Sequence, residues 1–174
     1  KKGRFVYLSS QEIYGKSYID DVAEEEAGSA KNFRAMAVAQ GEDICKTYKK
    51  TQDMDITVMR LDHFYAMPKK GEKQYNPCYQ MVVEALKNNR ISASRRNLFS
   101  MIYLDDVVEY IYQVTEAESL KHMIYNITSG QVISQMDLAE LIQKYMKEKT
   151  EIADATVGEN HRLVLKGERY REEF

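Results

Sequence analysis

The stretch Arg4-Phe5-Val6-Tyr7-Leu8-Ser9-Ser10-Gln11-Glu12-Ile13-Tyr14-Gly15 decides the fold. Arg4 to Leu8 is a short β-rich apolar run that stops at Ser9-Ser10, which predicts a buried strand ending in a loop. Beyond it, Gln11 to Ser29 is polar, with turn residues at Gly15, Asp20-Asp21 and Gly28-Ser29, and reads as loop. From Ala30 to Lys50, apolar residues recur at Phe33, Ala37, Ile44 and Tyr48, and this spacing predicts a helix. Gly41 inside that helix costs about 1 kcal/mol relative to Ala, so it marks close packing against a neighbour. Asp55 to Leu61 is a second strand.

A loop follows through Pro68 and Gly71 to Pro77, then a helix over Tyr79 to Lys87. Ile91 and Met101 to Leu104 read as short strands. Asp105-Asp106 is expected to cap the next helix, because a carboxylate there accepts free first-turn N–H groups and favours the positive dipole end. Met123 to Ile127 is another strand, closed by the turn Ser129-Gly130. Ser134 opens a helix with Asp137 three residues on, a weaker form of the capping box. Leu138, Leu141, Ile142 and Tyr145 are expected on its apolar face. Glu151 to Phe174 is charged, and only Arg162 to Leu165 looks strand-like. Alternating strands and helices argue an α/β chain with parallel strands.

The 174 residues, 44% hydrophobic and 30% charged, suffice for one compact core. A net charge of -2 provides no basic field to attract nucleic acid or anionic membrane. No apolar run approaches the roughly 20 residues that span a bilayer. Cys45 and Cys78 form neither a C-x-x-C pair nor a metal-ligand spacing; they read as thiols of a reducing compartment, and the expected location is cytoplasmic, with no metal.

Four segments in chain order carry a family resemblance. The first is Val6 to Gly15, similar to a family strand that ends in a double serine followed by a Val-Tyr-Gly turn. The second is Val58-Met59-Arg60-Leu61-Asp62-His63-Phe64-Tyr65, similar to a Leu-Arg-x-x-Asn-x-Tyr-Gly-Pro strand. The third is Ile102-Tyr103-Leu104-Asp105-Asp106-Val107-Val108, similar to a Tyr-Val-Asp-Asp-Val element. The fourth is Ile124-Tyr125-Asn126-Ile127-Thr128-Ser129-Gly130 with the helix Leu138 to Ile142. Together they resemble the extended short-chain dehydrogenases/reductases, the NAD-dependent sugar-nucleotide epimerase/dehydratase family. The resemblance implies a partial Rossmann-like parallel sheet with a smaller α/β substrate-binding part. Residues 1–174 form a single α/β unit in this reading, with about 1–76 the back half of the dinucleotide-binding domain and about 77–174 mainly the substrate-binding part. The family's pyrophosphate-binding loop is glycine-rich and opens the first helix. The glycines here are too scattered for it, so the chain is expected to correspond to the fold from its fifth strand onward. NAD or NADP is the family cofactor, and weak or no binding is expected for this chain.

The family's reaction needs a tyrosine phenolate to take a sugar hydroxyl proton while hydride passes to NAD. A lysine four residues later lowers that tyrosine's pKa and holds the cofactor ribose. Matching Gly41-Glu42-Asp43-Ile44-Cys45-Lys46-Thr47-Tyr48 to the family helix puts these positions at Arg34 and Val38; sliding by one puts them at Phe33 and Ala37. Neither register has a phenol or an amine. Tyr65…Lys69 and Tyr145…Lys149 also fit Tyr-x-x-x-Lys, but about one such match is expected by chance among so many tyrosines and lysines.

The resemblance implies sugar-hydroxyl contact at Ser10. Glu12 matches the glutamate that family dehydratases and decarboxylases use for proton transfer, and the adjacent aspartate of the dehydratases is Gln11 here. Ser10 and Glu12 are therefore the catalytic candidates. Ser9, Phe64 and Tyr65 are the cofactor-binding candidates. His63, where the family has Asn, is a substrate-binding candidate together with Arg95 and Arg96, which lie just upstream of Phe99, the position of a family arginine. His122 and His161 receive no role from the sequence. Two function classes stand open: an isomerase or lyase acting on a nucleotide sugar with an altered relay, or a pseudoenzyme that binds a nucleotide sugar or a protein partner. A homo-oligomer, a dimer through the helix at Ala30 to Lys50, is expected.

Overall fold

The computed structural model describes residues 3–15, 20–26, 28–69, 71–73, 76–155 and 161–174. Its first half runs β1 (Phe5–Ser10), a 3₁₀ turn (Gln11–Ile13), α1 (Phe33–Gln52), β2 (Ile56–Leu61), β3 (His63–Tyr65) and α2 (Pro77–Asn88). There follow β4 (Arg90–Ala93), β5 (Leu98–Tyr103), α3 (Leu104–Glu116), β6 (Ile124–Ile127), β7 (Val132–Ser134), α4 (Gln135–Tyr145), β8 (Glu151–Asp154), β9 (Arg162–Leu163) and α5 (Glu168–Glu173). The loop readings at 16–19, 27, 70 and 74–75, and the charged stretch at 156–160, lie outside the described residues.

β1, β2 and β6 form one parallel sheet in that order, with Ser10 opposite Leu61 and Leu61 opposite Ile127. In central β2, every residue from Ile56 to Arg60 is buried, as a parallel strand covered on both faces requires. A second sheet places β5 between β3 and β7, with β9 also on β5. The β5–β7 pairing is antiparallel, while the first sheet is parallel as the alternation of strands and helices predicts. β4 and β8 make a separate parallel pair. The strands β3, β7 and β8 and the helix α5 are too short to carry a periodic signal, and the sequence reading passes over them.

Capping explains the helix ends. Asn32 accepts from the Ala35 N–H at 2.8 Å, so α1 starts at Phe33 rather than at Ala30. Asn76 accepts from the Tyr79 N–H at 2.8 Å, and Pro77 occupies the first helical position of α2, where a missing N–H costs nothing. Ser134 and Asp137 form a complete capping box. Asp105-Asp106 is not a cap: Tyr103 holds the cap position without a side-chain bond. The two carboxylates sit in the first turn of α3, where they act through the helix dipole.

Two helix faces differ from the pattern reading. On α1 the buried side chains are Ala35, Glu42 and Cys45, while Phe33 is 90% exposed and Ile44 and Tyr48 are more than half exposed. The apolar stripe points away from the sheet because the sheet side holds an ion pair, described below. On α4 the buried face is Met136, Leu138, Ala139 and Ile142, and Leu141 and Tyr145 are exposed. That face joins Met81 and Ala85 of α2 and Ile91 of β4 in one core cluster; a second gathers Met59, Val107, Val114, Tyr125 and Ile127 around the first sheet. Gly41 meets its expectation, since a Cβ there would lie 2.1 Å from the Tyr7 hydroxyl.

Candidate functional site

β1 and β2 end side by side at Ser10 and Leu61, and the chain turns away from the sheet at both points. Parallel sheets open a crevice beyond such strand ends. Here it is a cavity of about 660 Å³, bordered by Ser9 to Glu12, by Leu61 to Phe64, and by Arg34 and Val38 of α1. Lys73, Asn76 and Leu104 close it from the side of α2 and α3.

Ser10 caps the 3₁₀ turn, its Oγ accepting from the Glu12 N–H at 3.2 Å. This short turn brings the Glu12 carboxylate back to α1, where it pairs with the Arg34 guanidinium. Arg34 and Val38, one helical turn apart, both border the cavity, whereas neither Phe33 nor Ala37 does. Of the two registers open in the sequence, only Arg34 and Val38 lie at this cavity. Tyr65 packs on the Tyr103 ring with centroids 5.4 Å apart, and Tyr145 is 82% exposed; neither borders the cavity.

Below the cavity lies a buried polar network. Ser9 donates to Glu42 Oε1 at 2.5 Å, and Arg60 Nε and Nη2 reach the two Glu42 oxygens at 2.9 and 2.8 Å. Arg60 also donates to the Tyr14 hydroxyl at 2.8 Å and to the Glu24 carbonyl at 2.9 Å, and Tyr14 donates to Asn126 Oδ1 at 2.8 Å. Burial opposes the charge on Arg60, but Glu42 and Tyr14 together outweigh it and hold its pKa above the usual arginine value. Burial pushes Tyr14 up to about 12, partly countered by Arg60, so it stays a phenol. Each member is satisfied, which is the condition under which a buried network rigidifies a core. Its effect is to fix α1 and the end of β1 to the sheet.

Asp62, 3% exposed, is a cavity residue that sequence reading missed. Its Oδ2 accepts from Thr128 Oγ1 at 2.6 Å and from Ser100 Oγ, and its Oδ1 from the His63 N–H at 2.7 Å. Burial raises it to about 7 against those bonds. Burial likewise lowers His63, with Glu12 opposing. Lys73 and Asn76 were missed as well; a strand-end carboxylate offered a faint signal, while loop residues before a helix offered none.

Of the residues singled out in the sequence, Ser9, Ser10, Glu12, His63 and Phe64 border this cavity. Tyr65, Arg95 and Arg96 do not. Arg95 is paired with Glu140 at 2.9 Å on the surface, and the Arg96 N–H donates to Ser94 Oγ at 3.1 Å. The apolar border of Leu8, Leu61, Phe64 and Leu104 suits a flat ring. The position for a ribose-holding lysine is nevertheless Val38, and no glycine-rich loop is present in the sequence, so this chain's residues do not by themselves fit a dinucleotide. No group of metal-ligating side chains occurs among the described residues, and no helix among them is long and apolar enough to cross a membrane.

Comparison with known proteins agrees with this geometry. A dTDP-D-glucose 4,6-dehydratase of Dictyostelium discoideum is 24% identical over 157 residues, covering 82% of this chain and 35% of the relative. Among solved structures, the fold matches dTDP-glucose 4,6-dehydratase of Bacillus anthracis, solved with NAD, at a TM-score of 0.78 and 21% identity, over 98% of this chain and 55% of the other. It matches UDP-glucose 4-epimerase of Thermus thermophilus, also with NAD, at a TM-score of 0.79 and 16% identity, over 98% and 58%. The chain thus spans little more than half the length of these solved relatives. The model of the NAD dependent epimerase/dehydratase family matches residues 1–128, and with the strand-end crevice and the ordered segments around it, this chain belongs to that family.

Proposed function

We propose that the crevice at the ends of β1 and β2 receives the sugar end of a nucleotide sugar and holds it without the family's proton relay. The observation that carries this reading is the pair of side chains facing the crevice from α1. Arg34 stands where the tyrosine belongs and is neutralised by Glu12, and Val38 stands where the lysine belongs. A guanidinium with a pKa above 12 is no base near neutral pH, and an isopropyl group holds no ribose. Ser10 would meet a sugar hydroxyl, and His63 would meet the ring from the β2 side. Ser9 and Phe64 would border a nicotinamide, and binding of NAD or NADP by this chain is weak because its glycines form no pyrophosphate-binding loop. Tyr65, Arg95 and Arg96 have no role in this reading. The exposed apolar stripe of α1 supports a homodimer through that helix, and the location is cytoplasmic.

Calorimetry with UDP-glucose and dTDP-glucose tests the reading. Saturable binding, with turnover near the detection limit in the presence of NAD, is the expected result, and absence of binding to both overturns it. A second reading, an active isomerase or lyase, rests on Ser10 and Glu12 both bordering the crevice. Robust turnover abolished by Glu12→Gln would establish it and make Glu12 the base.

A further inference from the structure

The two edges of the first sheet are finished differently. On the β6 side, the Met123 and Ile127 carbonyls accept from N–H groups of Val58 and Asp62, so Ile124 and Asn126 turn outward. Side chains meet both. Arg169 donates to the Ile124 carbonyl at 3.2 Å, and Glu24 accepts from the Asn126 N–H at 2.8 Å. On β1 the Phe5 N–H donates to the Asp55 carbonyl beside β2, so Val6 and Leu8 present their N–H and C=O groups to the opposite side. Among the described residues, neither a strand nor a side chain meets them.

An open edge is a template for a further strand, and proteins guard it with charge, proline or a bulge. Phe5 to Ser10 holds no charge and no proline, and it pairs with β2 in unbroken register. Phe5 and Leu8 are left about half exposed. Whatever covers this edge must also suit α1, which straddles β1 and β2: Gly41 lies over Tyr7, and Cys45 packs with Ile56 and Val58. Ala37, Ile44 and Tyr48 lie within two turns of Gly41, on the side away from Cys45, so the exposed stripe overhangs the free edge. A two-fold axis beside β1 pairs the strand with itself at about 4.8 Å. The same axis sets two copies of α1 side by side at roughly the 8–10 Å of packed helices. Neither the strand nor Phe33, Ala37, Ile44 and Tyr48 carries charge, so like surfaces meet without repulsion.

We propose that β1 is a pairing edge, through which two copies of this chain join antiparallel at Val6 and Leu8 and merge their three-stranded sheets into one. The inference rests on the homodimer of the reading above and adds the strand edge to the helix contact; it is independent of the ligand. A closed two-fold contact of this kind leaves no edge of β1 open. Leu8, Ser9 and Ser10 border the crevice, so the second copy walls it on that side.

The test is light scattering of the unmodified chain and of Leu8→Pro, with circular dichroism to show that each is folded. The substitution removes an outward N–H and leaves the bonds of Phe5, Tyr7 and Ser9 to β2, and proline is tolerated at such edge positions. The expected result is the dimer mass for the unmodified chain and the single-chain mass for the variant. The Val6 amide should exchange with solvent about tenfold or more slowly in the dimer than in the variant. A folded Leu8→Pro that stays dimeric overturns the inference and leaves the homodimer standing on α1 alone. An unmodified chain that is monomeric at high concentration overturns both; slow exchange at Val6 and Leu8 in that monomer shows that another part of the chain holds the edge. Assemblies larger than a dimer overturn it as well. Should Leu8→Pro not fold, Leu8→Lys sets like charges across the axis and gives the same readout. Exchange in the unmodified dimer decides without any variant, since fast exchange at Val6 and Leu8 there overturns the inference.

Discussion

Arg60 of β2 grips Glu42 of α1 through two parallel bonds of 2.9 and 2.8 Å, in a place where both side chains are almost fully buried. The pair reaches across the packing surface between helix and sheet, and it explains why α1 turns its polar and small residues inward. Glu42 also accepts a hydrogen bond from the Ser9 hydroxyl, so the ion pair is tied to the floor of the crevice.

Removing one partner leaves an uncompensated buried charge, which typically costs about 3–5 kcal/mol. Glu42→Ala is expected to lose about that much in urea-unfolding free energy, and Glu42→Gln less, because an amide still bonds Ser9 and Arg60. A loss below about 1 kcal/mol for Glu42→Ala would show that water replaces the carboxylate.

Gly41→Ala gains helix propensity of about 1 kcal/mol in isolation but drives a Cβ to 2.1 Å from the Tyr7 hydroxyl. The clash is expected to win, with a net destabilisation of about 1–3 kcal/mol. Tyr7→Leu makes room, so the double variant should lose less than the sum of the two single losses, a non-additivity that urea melts of the four proteins measure.

Asp62 introduces a pH dependence whose sign follows from its raised pKa. Burial takes the folded carboxyl to about 7, above its ordinary value of 3.8, so the native state holds a proton that the unfolded chain releases. Its contribution is complete below about pH 4 and is lost as pH rises through about 7. Relative to Asp62→Asn, the unmodified protein should therefore lose stability between about pH 4 and 7. His63, lowered by burial, is common to both proteins and cancels in the comparison. Parallel stability curves over that range would contradict the assignment.

The register at Arg34 is open to a direct gain-of-function test. With this chain joined behind the glycine-rich front half of a dTDP-glucose 4,6-dehydratase, Arg34→Tyr with Val38→Lys should raise turnover about 10²–10⁴-fold, the usual worth of acid–base assistance. Phe33→Tyr with Ala37→Lys should raise nothing, because those side chains do not border the cavity. Activity in the second register alone would refute the alignment.

The sequence by itself determined the alternation of strands and helices, the serine-ended strand with Glu12 beyond it, the close packing at Gly41 and the family. Each of these is local: a run of like residues, a cap spacing or a fixed order of short segments. It did not determine which side of α1 meets the sheet, because periodicity shows that residues share a face without showing where that face points. Phe33, Ala37, Ile44 and Tyr48 share one, and it is turned to solvent because Glu42 must meet Arg60, 18 residues away along the chain. That rotation brings Arg34 and Val38 to the cavity. Tertiary structure likewise decided that Arg95 and Arg96 sit apart from the crevice and that Asp62 and Gln11 lie buried beside it. A side chain's burial and its partners are properties of elements brought together from distant parts of the chain. Its proton affinity and its unmet bonds appear only once those elements have packed.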